Sequence, residues 1–361
     1  MKPRNIAIAC GAAGVAVGLA AAAGIVYRKQ IKSVASLKRL TGYEDGYDLY
    51  AINIAYDYDL DRIIAAGVRD DQAYIDAVVA QVLPGVPAHV QAPQFACSAF
   101  VAVDAEGRVR TGRNYDFKDD TSALLVRNHP RGSYASIGFA ALNNLGDNTP
   151  LDSVAGRAAA LMGPFAQLDG VNECGVSIAV LTLDSKPCDQ DTQRPVINTS
   201  LAIRLVLDRA ATTQEAVDLL SAYDMHAMAG RDYHFFINDA AGDARVVEWD
   251  PRDPDRAFKA TPVRQVTNFY ACYGDEVLPS QKNGELGHGK ERAVAIADVL
   301  DAHAGAQDEA VAWKALRAAA QEPNPEDITS NTQWSVVFDN TEPAAAITLR
   351  RHWGDVDAFA L

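Results

Sequence analysis

Residues 97–117 read Cys97-Ser98-Ala99-Phe100-Val101-Ala102-Val103-Asp104-Ala105-Glu106-Gly107-Arg108-Val109-Arg110-Thr111-Gly112-Arg113-Asn114-Tyr115-Asp116-Phe117. Ser98 to Val103 alternates as a strand does, Asp104 to Gly107 is a tight turn, and Arg108 to Arg113 is the returning strand. That is a hairpin signal. A cysteine opens a strand, and one hairpin later an arginine and an aspartate return near its start. With strands of similar length, Arg113 and Asp116 end beside Cys97. A guanidinium there favours the thiolate, which is the nucleophilic form, and a carboxylate there can hold an amine. By spacing alone, such an Arg and Asp after a hairpin are more often a surface ion pair.

Downstream, the pattern repeats. A second strand pair is expected around Val171–Thr182, turning at Asn172-Glu173-Cys174-Gly175, with Val176 to Leu183 as its strand. A third joins Tyr233–Asn238 to Ala244–Trp249 around Asp239-Ala240-Ala241-Gly242. Arg264–Ala271 reads as one strand, and Gln333–Asp339 with Ala345–His352 as a closing hairpin. Asn198–Arg209, Thr213–Tyr223, Lys290–His303 and Asp308–Ala320 read as helices, Thr213 being placed to cap the second. Strand pairs interleaved with helix pairs indicate an α+β fold of antiparallel sheets covered by helices, not a doubly wound parallel sheet. Gly112 is expected to serve a backbone turn, and Trp249 and Trp334 to lie in the core.

Upstream, Asp48–Ala55 has strand character. Asp59–Leu83 has helical spacing, with Ile63, Ile64, Val68, Ile75, Val78, Val79 and Val82 on one side. Pro84–Pro93 holds three prolines and reads as an exposed connector, and residues 28–48 as a juxtamembrane linker. Before them, Ile6–Tyr27 runs 22 residues without a charge, after Lys2 and Arg4 and before Arg28-Lys29. A helix of that length spans about 33 Å, enough for a hydrocarbon core of about 30 Å. The length favours an uncleaved membrane anchor, and the small residues Ala21-Ala22-Ala23-Gly24 favour a cleaved signal peptide. Either way the body is expected outside the cytoplasm, membrane-anchored or secreted.

The formal charge is −14, and residues 1–40 hold seven Lys/Arg and no acid. The rest is therefore strongly acidic, which argues against a nucleic-acid partner. The five cysteines (Cys10, Cys97, Cys174, Cys188 and Cys272) form no CxxC pair or His/Cys cluster with metal-ligand spacing. A Cys174–Cys188 bridge is left open, as is a homo-oligomer. His226 and His234 invite comparison with Cys–His thiol proteases, but the papain-like pattern around the cysteine is absent. Both are expected to be hydrogen-bonded structural residues, as are Asn172 and Glu173.

Taken together, Cys97-Ser98, Gly112-Arg113-Asn114-Tyr115-Asp116-Phe117, Leu168-Asp169-Gly170-Val171-Asn172-Glu173-Cys174-Gly175, Thr267-Asn268-Phe269 and Gln333-Trp334-Ser335-Val336-Val337 resemble the choloylglycine hydrolase family of linear-amide hydrolases. That family lies within the N-terminal-nucleophile superfamily and includes penicillin V acylases and bile salt hydrolases. Tyr47–Gly67 also resembles the leader of uncharacterised bacterial members. The resemblance implies a four-layer αββα sandwich over residues 97–361, preceded by a propeptide-like segment 28–96 and a leader 1–27.

It further implies that Cys97 is the nucleophile, freed by cleavage of the Ala96–Cys97 bond so that its own α-amine becomes the base. An unperturbed α-amine pKa of about 7.7–8.0 suits that task. By the same resemblance Arg113 lies beside the sulfur, Asp116 holds the amine, Asn268 stabilises the oxyanion and Arg292 is the late family arginine. Thr182 stands where bile salt hydrolases carry an asparagine and penicillin V acylases a tyrosine, so its backbone N–H is left to make the oxyanion contact. The implied reaction is hydrolysis of a small-molecule N-acyl amide, with no metal or organic cofactor. The alternatives are an acyltransferase using the same site and a non-catalytic membrane-tethered binding domain.

Overall fold

A computed structural model describes residues 27–84, 96–146, 151, 153–280, 286–324, 326 and 330–361. The hydrophobic stretch 6–27 and the proline-rich connector therefore lie almost wholly outside the described residues. Among the described residues no helix is long and apolar enough to cross a membrane.

The fold is mixed α+β with two large sheets. The nine-stranded sheet runs in the order Lys38–Arg39, Leu49–Asn53, Ala123–Asn128, Ser136–Ala141, Gln167–Asn172, Ser177–Leu183, Asp232–Asn238, Ala244–Trp249, Phe258–Pro262. The six-stranded sheet runs Gln265–Val266, Ala96–Val103, Val109–Asp116, Thr332–Asp339, Ala344–Leu349, Asp357–Ala360. Within these two sheets the pairing is antiparallel apart from one join, Leu49–Asn53 beside Ala123–Asn128, which is parallel.

The sheets face one another. Ala96–Val103 meets Ser177–Leu183 and Asp232–Asn238, and Ala344–Leu349 meets Ser136–Ala141. Thr111 and Ser177 share a 2.7 Å hydroxyl contact between the sheets, and Phe139 and Phe338 bring their rings to 6.2 Å. The Thr199–Arg209 helix packs on Gln167–Asn172 and Ser177–Leu183, while Lys290–Ala302 and Glu309–Ala319 pack on the six-stranded sheet. Side-chain caps fix where the helices begin: Asn198, Asp70 and Asp308 each accept from a first-turn N–H.

Several expectations are corrected. The 28–48 linker contains the Arg28–Ala35 helix and the Lys38–Arg39 strand. The helix expected over 59–83 is two, Leu60–Ala65 and Asp71–Val82, because Gly67 turns the chain at φ +85°. Thr212, not Thr213, caps the Thr213–Ser221 helix. Gly112 serves no turn: it sits mid-strand, where a Cβ would come within 2.2 Å of the Phe100 ring. Cys174 and Cys188 are free thiols. Trp249 and Trp334 are core residues as expected.

Candidate active site

The hairpin forms as read. Ala96–Val103 and Val109–Asp116 pair so that Cys97 stands opposite Tyr115, Ala99 opposite Arg113 and Ala96 opposite Asp116. Cys97 and Arg113 thereby share the face turned toward the other sheet, and both are fully buried. Arg113 Nη2 donates to Cys97 Sγ at 3.3 Å and to the Val180 carbonyl at 3.0 Å.

What holds Arg113 is Asp169, a residue quoted in the sequence motif without a role. Its Oδ2 lies 3.0 Å from Arg113 Nε and accepts from Trp334 Nε1 at 3.2 Å, and its Oδ1 accepts from the Phe139 N–H. Burial raises the Asp169 carboxyl to about 6 against the opposing pull of Arg113. Removing one partner of so buried a pair strands the other charge, at a cost of about 3–5 kcal/mol.

The expected strand 264–271 is broken at Thr267. Gln265–Val266 joins the six-stranded sheet, and Asn268–Phe269 pairs instead with Gly287–His288. The break has an identifiable clamp. His234 Nε2 lies 3.0 Å from the Thr267 carbonyl and its Nδ1 lies 3.2 Å from Glu248 Oε2. Glu248 in turn accepts from the N–H groups of Ala271 and Cys272 at 3.0 and 2.6 Å. Two buried side chains of the nine-stranded sheet thus grip both ends of the segment that carries Asn268, and His234 is structural as read.

Asn268 faces the nucleophile. Its Oδ1 accepts from the Cys97 backbone N–H at 3.1 Å and from Arg292 Nη2 at 2.7 Å, and its Nδ2 donates to the Thr182 carbonyl at 2.8 Å. Arg292 Nη1 donates to the Cys97 carbonyl at 2.8 Å and lies 3.2 Å from Asp116 Oδ2. All six residues singled out in the sequence are therefore within one polar network.

Three details differ from expectation. In this uncut chain the Cys97 nitrogen is bonded to Asn268, while Asp116 is occupied by Arg292, Gln321 and Thr332. Burial also outweighs Arg113 at the sulfur and pushes the Cys97 thiol up to about 12, so the thiol needs a proton acceptor before it can attack. Thr182 joins the network through its carbonyl, and its hydroxyl is buried without a partner. Among the described residues no group of three or more His, Cys, Asp or Glu is arranged to hold a metal ion.

Residues 103–352 match the family described as acyl-coenzyme A:6-aminopenicillanic acid acyl-transferase. The chain belongs to that family. The acyl-transferase match begins past Cys97 and spans Arg113, Asp116, Thr182, Asn268 and Arg292. Similar solved structures include penicillin V acylase from Agrobacterium tumefaciens, with TM-score 0.55 and 21% identity over 73% of this chain and 86% of that one. Another is a mutant of conjugated bile acid hydrolase from Clostridium perfringens, with TM-score 0.57 and 14% identity over 73% of this chain and 92% of that one. At these identities the likeness is one of fold, and it agrees with the choloylglycine hydrolase resemblance read from the motifs. No curated protein sequence matches the chain.

Proposed function

We propose that this acyl-transferase family member hydrolyses a linear carbon–nitrogen amide bond of an N-acyl compound through Cys97, after the chain is cut between Ala96 and Cys97 in an αββα N-terminal-nucleophile fold. The observation that carries the reading is a single juxtaposition: the sulfur touches Arg113, and the N–H that would become its free amine already rests on Asn268.

In the cut, Cys97 Sγ adds to the Ala96 carbonyl, the carbon–nitrogen bond breaks with its proton on the new amine, and water hydrolyses the thioester. In turnover the α-amine takes the thiol proton as Sγ adds to the substrate carbonyl, and passes it to the leaving amine. The second N–H of Asn268 Nδ2 and the backbone N–H of Thr182 are assigned to the oxyanion. Water then releases the acid. In this reading the 6–27 stretch, as anchor or signal peptide, delivers the body to the outer side of the membrane.

The family's description favours a second reading, transfer of the acyl group to an amine in place of water. Product analysis separates the two. Incubation of the cut enzyme with an N-acyl amide is expected to yield free acid in equal amounts with and without an added amine. A new amide formed at the expense of the acid assigns the chain to acyl transfer, and an intact mass showing no break before Cys97, with no turnover of any amide, leaves the binding-domain alternative.

The segment before the cut is expected to stay. Leu49–Asn53 pairs on both edges inside the nine-stranded sheet, and Leu49 and Ile52 are fully buried. Tyr56 and Tyr74 reach across to the carbonyls of Leu161 and Phe165. After cleavage the two pieces should elute together in gel filtration and separate only in denaturant. Loss of the smaller piece under native conditions would contradict this.

A further inference from the structure

The short ribbon that carries Asn268 has a second polar side chain on the same face. Asn268–Phe269 pairs antiparallel with Gly287–His288, and His288 stands directly opposite Asn268. Directly opposed residues of an antiparallel pair share a face, with Cβ atoms about 4.5–5.5 Å apart. Both side chains reach the end of the Ser177–Leu183 strand. Asn268 Nδ2 donates to the Thr182 carbonyl, and two residues on, Asp184 Oδ2 lies 2.6 Å from His288 Nδ1.

A glycine on either side seats the histidine there. A Cβ on Gly287 would come within 2.0 Å of the Asn268 carbonyl oxygen, and one on Gly289 within 2.4 Å of Arg292 Nη2. Both glycines have positive φ, +113° and +84°. They let the ribbon lie against the oxyanion asparagine and the arginine on the Cys97 carbonyl at once.

Asp184 fixes the tautomer of the ring. Its other oxygen lies 3.2 Å from Arg231 Nη1, and the hydrogen bond from His288 is the chief influence holding the carboxyl below its ordinary range. An ionised Asp184 accepts from Nδ1–H, which leaves Nε2 of the neutral ring with its lone pair. Nε2 is buried and meets no partner among the described residues. The side chain is 26% exposed, whereas Cys97 and Asn268 are fully buried. The ring therefore stands on the solvent side of Asn268 with its unfilled nitrogen turned away from solvent. An imidazole with a carboxylate behind it and an unfilled acceptor in front is the arrangement of a general base.

We propose that His288 is the base for the second half of the reaction, taking a proton from the water that attacks the acyl-enzyme. The water oxygen bonds to the thioester carbonyl carbon as its proton passes to Nε2. The carbon–sulfur bond then breaks, and the proton returns to the departing sulfur through the Cys97 amine. That amine keeps its own task in the first half. The inference rests on the amide-hydrolysis reading and adds to it a division of labour between two bases.

The test mixes cut enzyme with an N-acyl anilide whose leaving amine is coloured, and reads intact mass on the piece that begins at Cys97. Unsubstituted enzyme is run beside the variants. In His288→Gln and His288→Ala the first release of amine is expected to persist as a burst, while loss of the acyl group from the enzyme slows about a hundredfold. That is the lower end for removal of a positioned base, because the Cys97 amine remains nearby. The piece should then carry the added mass of the acyl group. Imidazole supplied to His288→Ala should speed acyl release again, and Asp184→Asn, which favours the wrong tautomer, should give a burst of its own. A merely structural histidine would lower burst and acyl release together. That result, acyl release at the unsubstituted rate in both His288 variants, or a His288→Gln chain left uncut before Cys97, overturns the assignment while amide hydrolysis by the unsubstituted enzyme stands. Unsubstituted cut enzyme that releases no amine would remove the parent reading and this inference with it.

Discussion

Cys97→Ala is expected to leave the chain as one uncut polypeptide and to lower amide turnover by roughly a millionfold, the scale of removing the nucleophile in an acyl-transfer enzyme. Both losses have one cause, because the same sulfur is assigned to the cut and to the substrate. Alanine fits the site without strain, since the Cys97 side chain is a small buried group on a strand. Folding should therefore survive, and the loss should be chemical. The pH dependence is a second readout. Burial holds the thiol at about 12 in the uncut chain, above its ordinary value, so the thiolate is scarce at neutrality. Below that value the thiolate fraction grows about tenfold per pH unit. The rate of the cut in unsubstituted chain should rise with pH across the neutral range, and should not fall. Mass spectrometry at timed intervals reads both results. A break before residue 97 in the Cys97→Ala chain would show that another agent makes the cut, and full turnover by that chain would remove Cys97 from the chemistry.

The hairpin that carries Cys97 was legible because its signals are local: alternation, a turn with Gly107 at φ +81°, and alternation again. Pairing arithmetic then placed Arg113 on the sulfur. The Asp71–Val82 helix was legible as helix for the same reason, its apolar spacing. What was not legible depends on partners far along the chain. Asp169 reads as one acid in a turn-rich motif until Arg113 and Trp334 arrive from the other sheet. The break at Thr267 carries no glycine or proline; it is imposed by His234 and Glu248 from strands that precede it. Gly112 was misread because a packing glycine and a turn glycine look alike without Phe100 beside it. The parallel seating of Leu49–Asn53 has no sequence signal at all, since the strand says only that it is buried.

Asn268 offers the sharpest separation of roles. Its side chain now accepts twice through Oδ1, from Cys97 N–H and Arg292, and donates once through Nδ2, to Thr182. Asn268→Ala deletes both functions, and kcat is expected to fall about 100- to 1000-fold, as for removal of one oxyanion donor. KM should change little, because the donor acts on charge that develops in the transition state. Asn268→Asp is nearly the same size and keeps both acceptor contacts, including a stronger one to Arg292, but has no N–H to give. It should therefore still be cut before Cys97 while turning over substrate as slowly as the alanine variant. The His234–Glu248 clamp is untouched by either change and holds the segment's backbone, and both variants equally lose the N–H that meets the Thr182 carbonyl, so they differ in the acceptor contacts to Cys97 and Arg292. Turnover by the Asn268→Asp enzyme at the unsubstituted rate would show that the donor function lies elsewhere, leaving Asn268 as an acceptor that orients the nucleophile's own nitrogen.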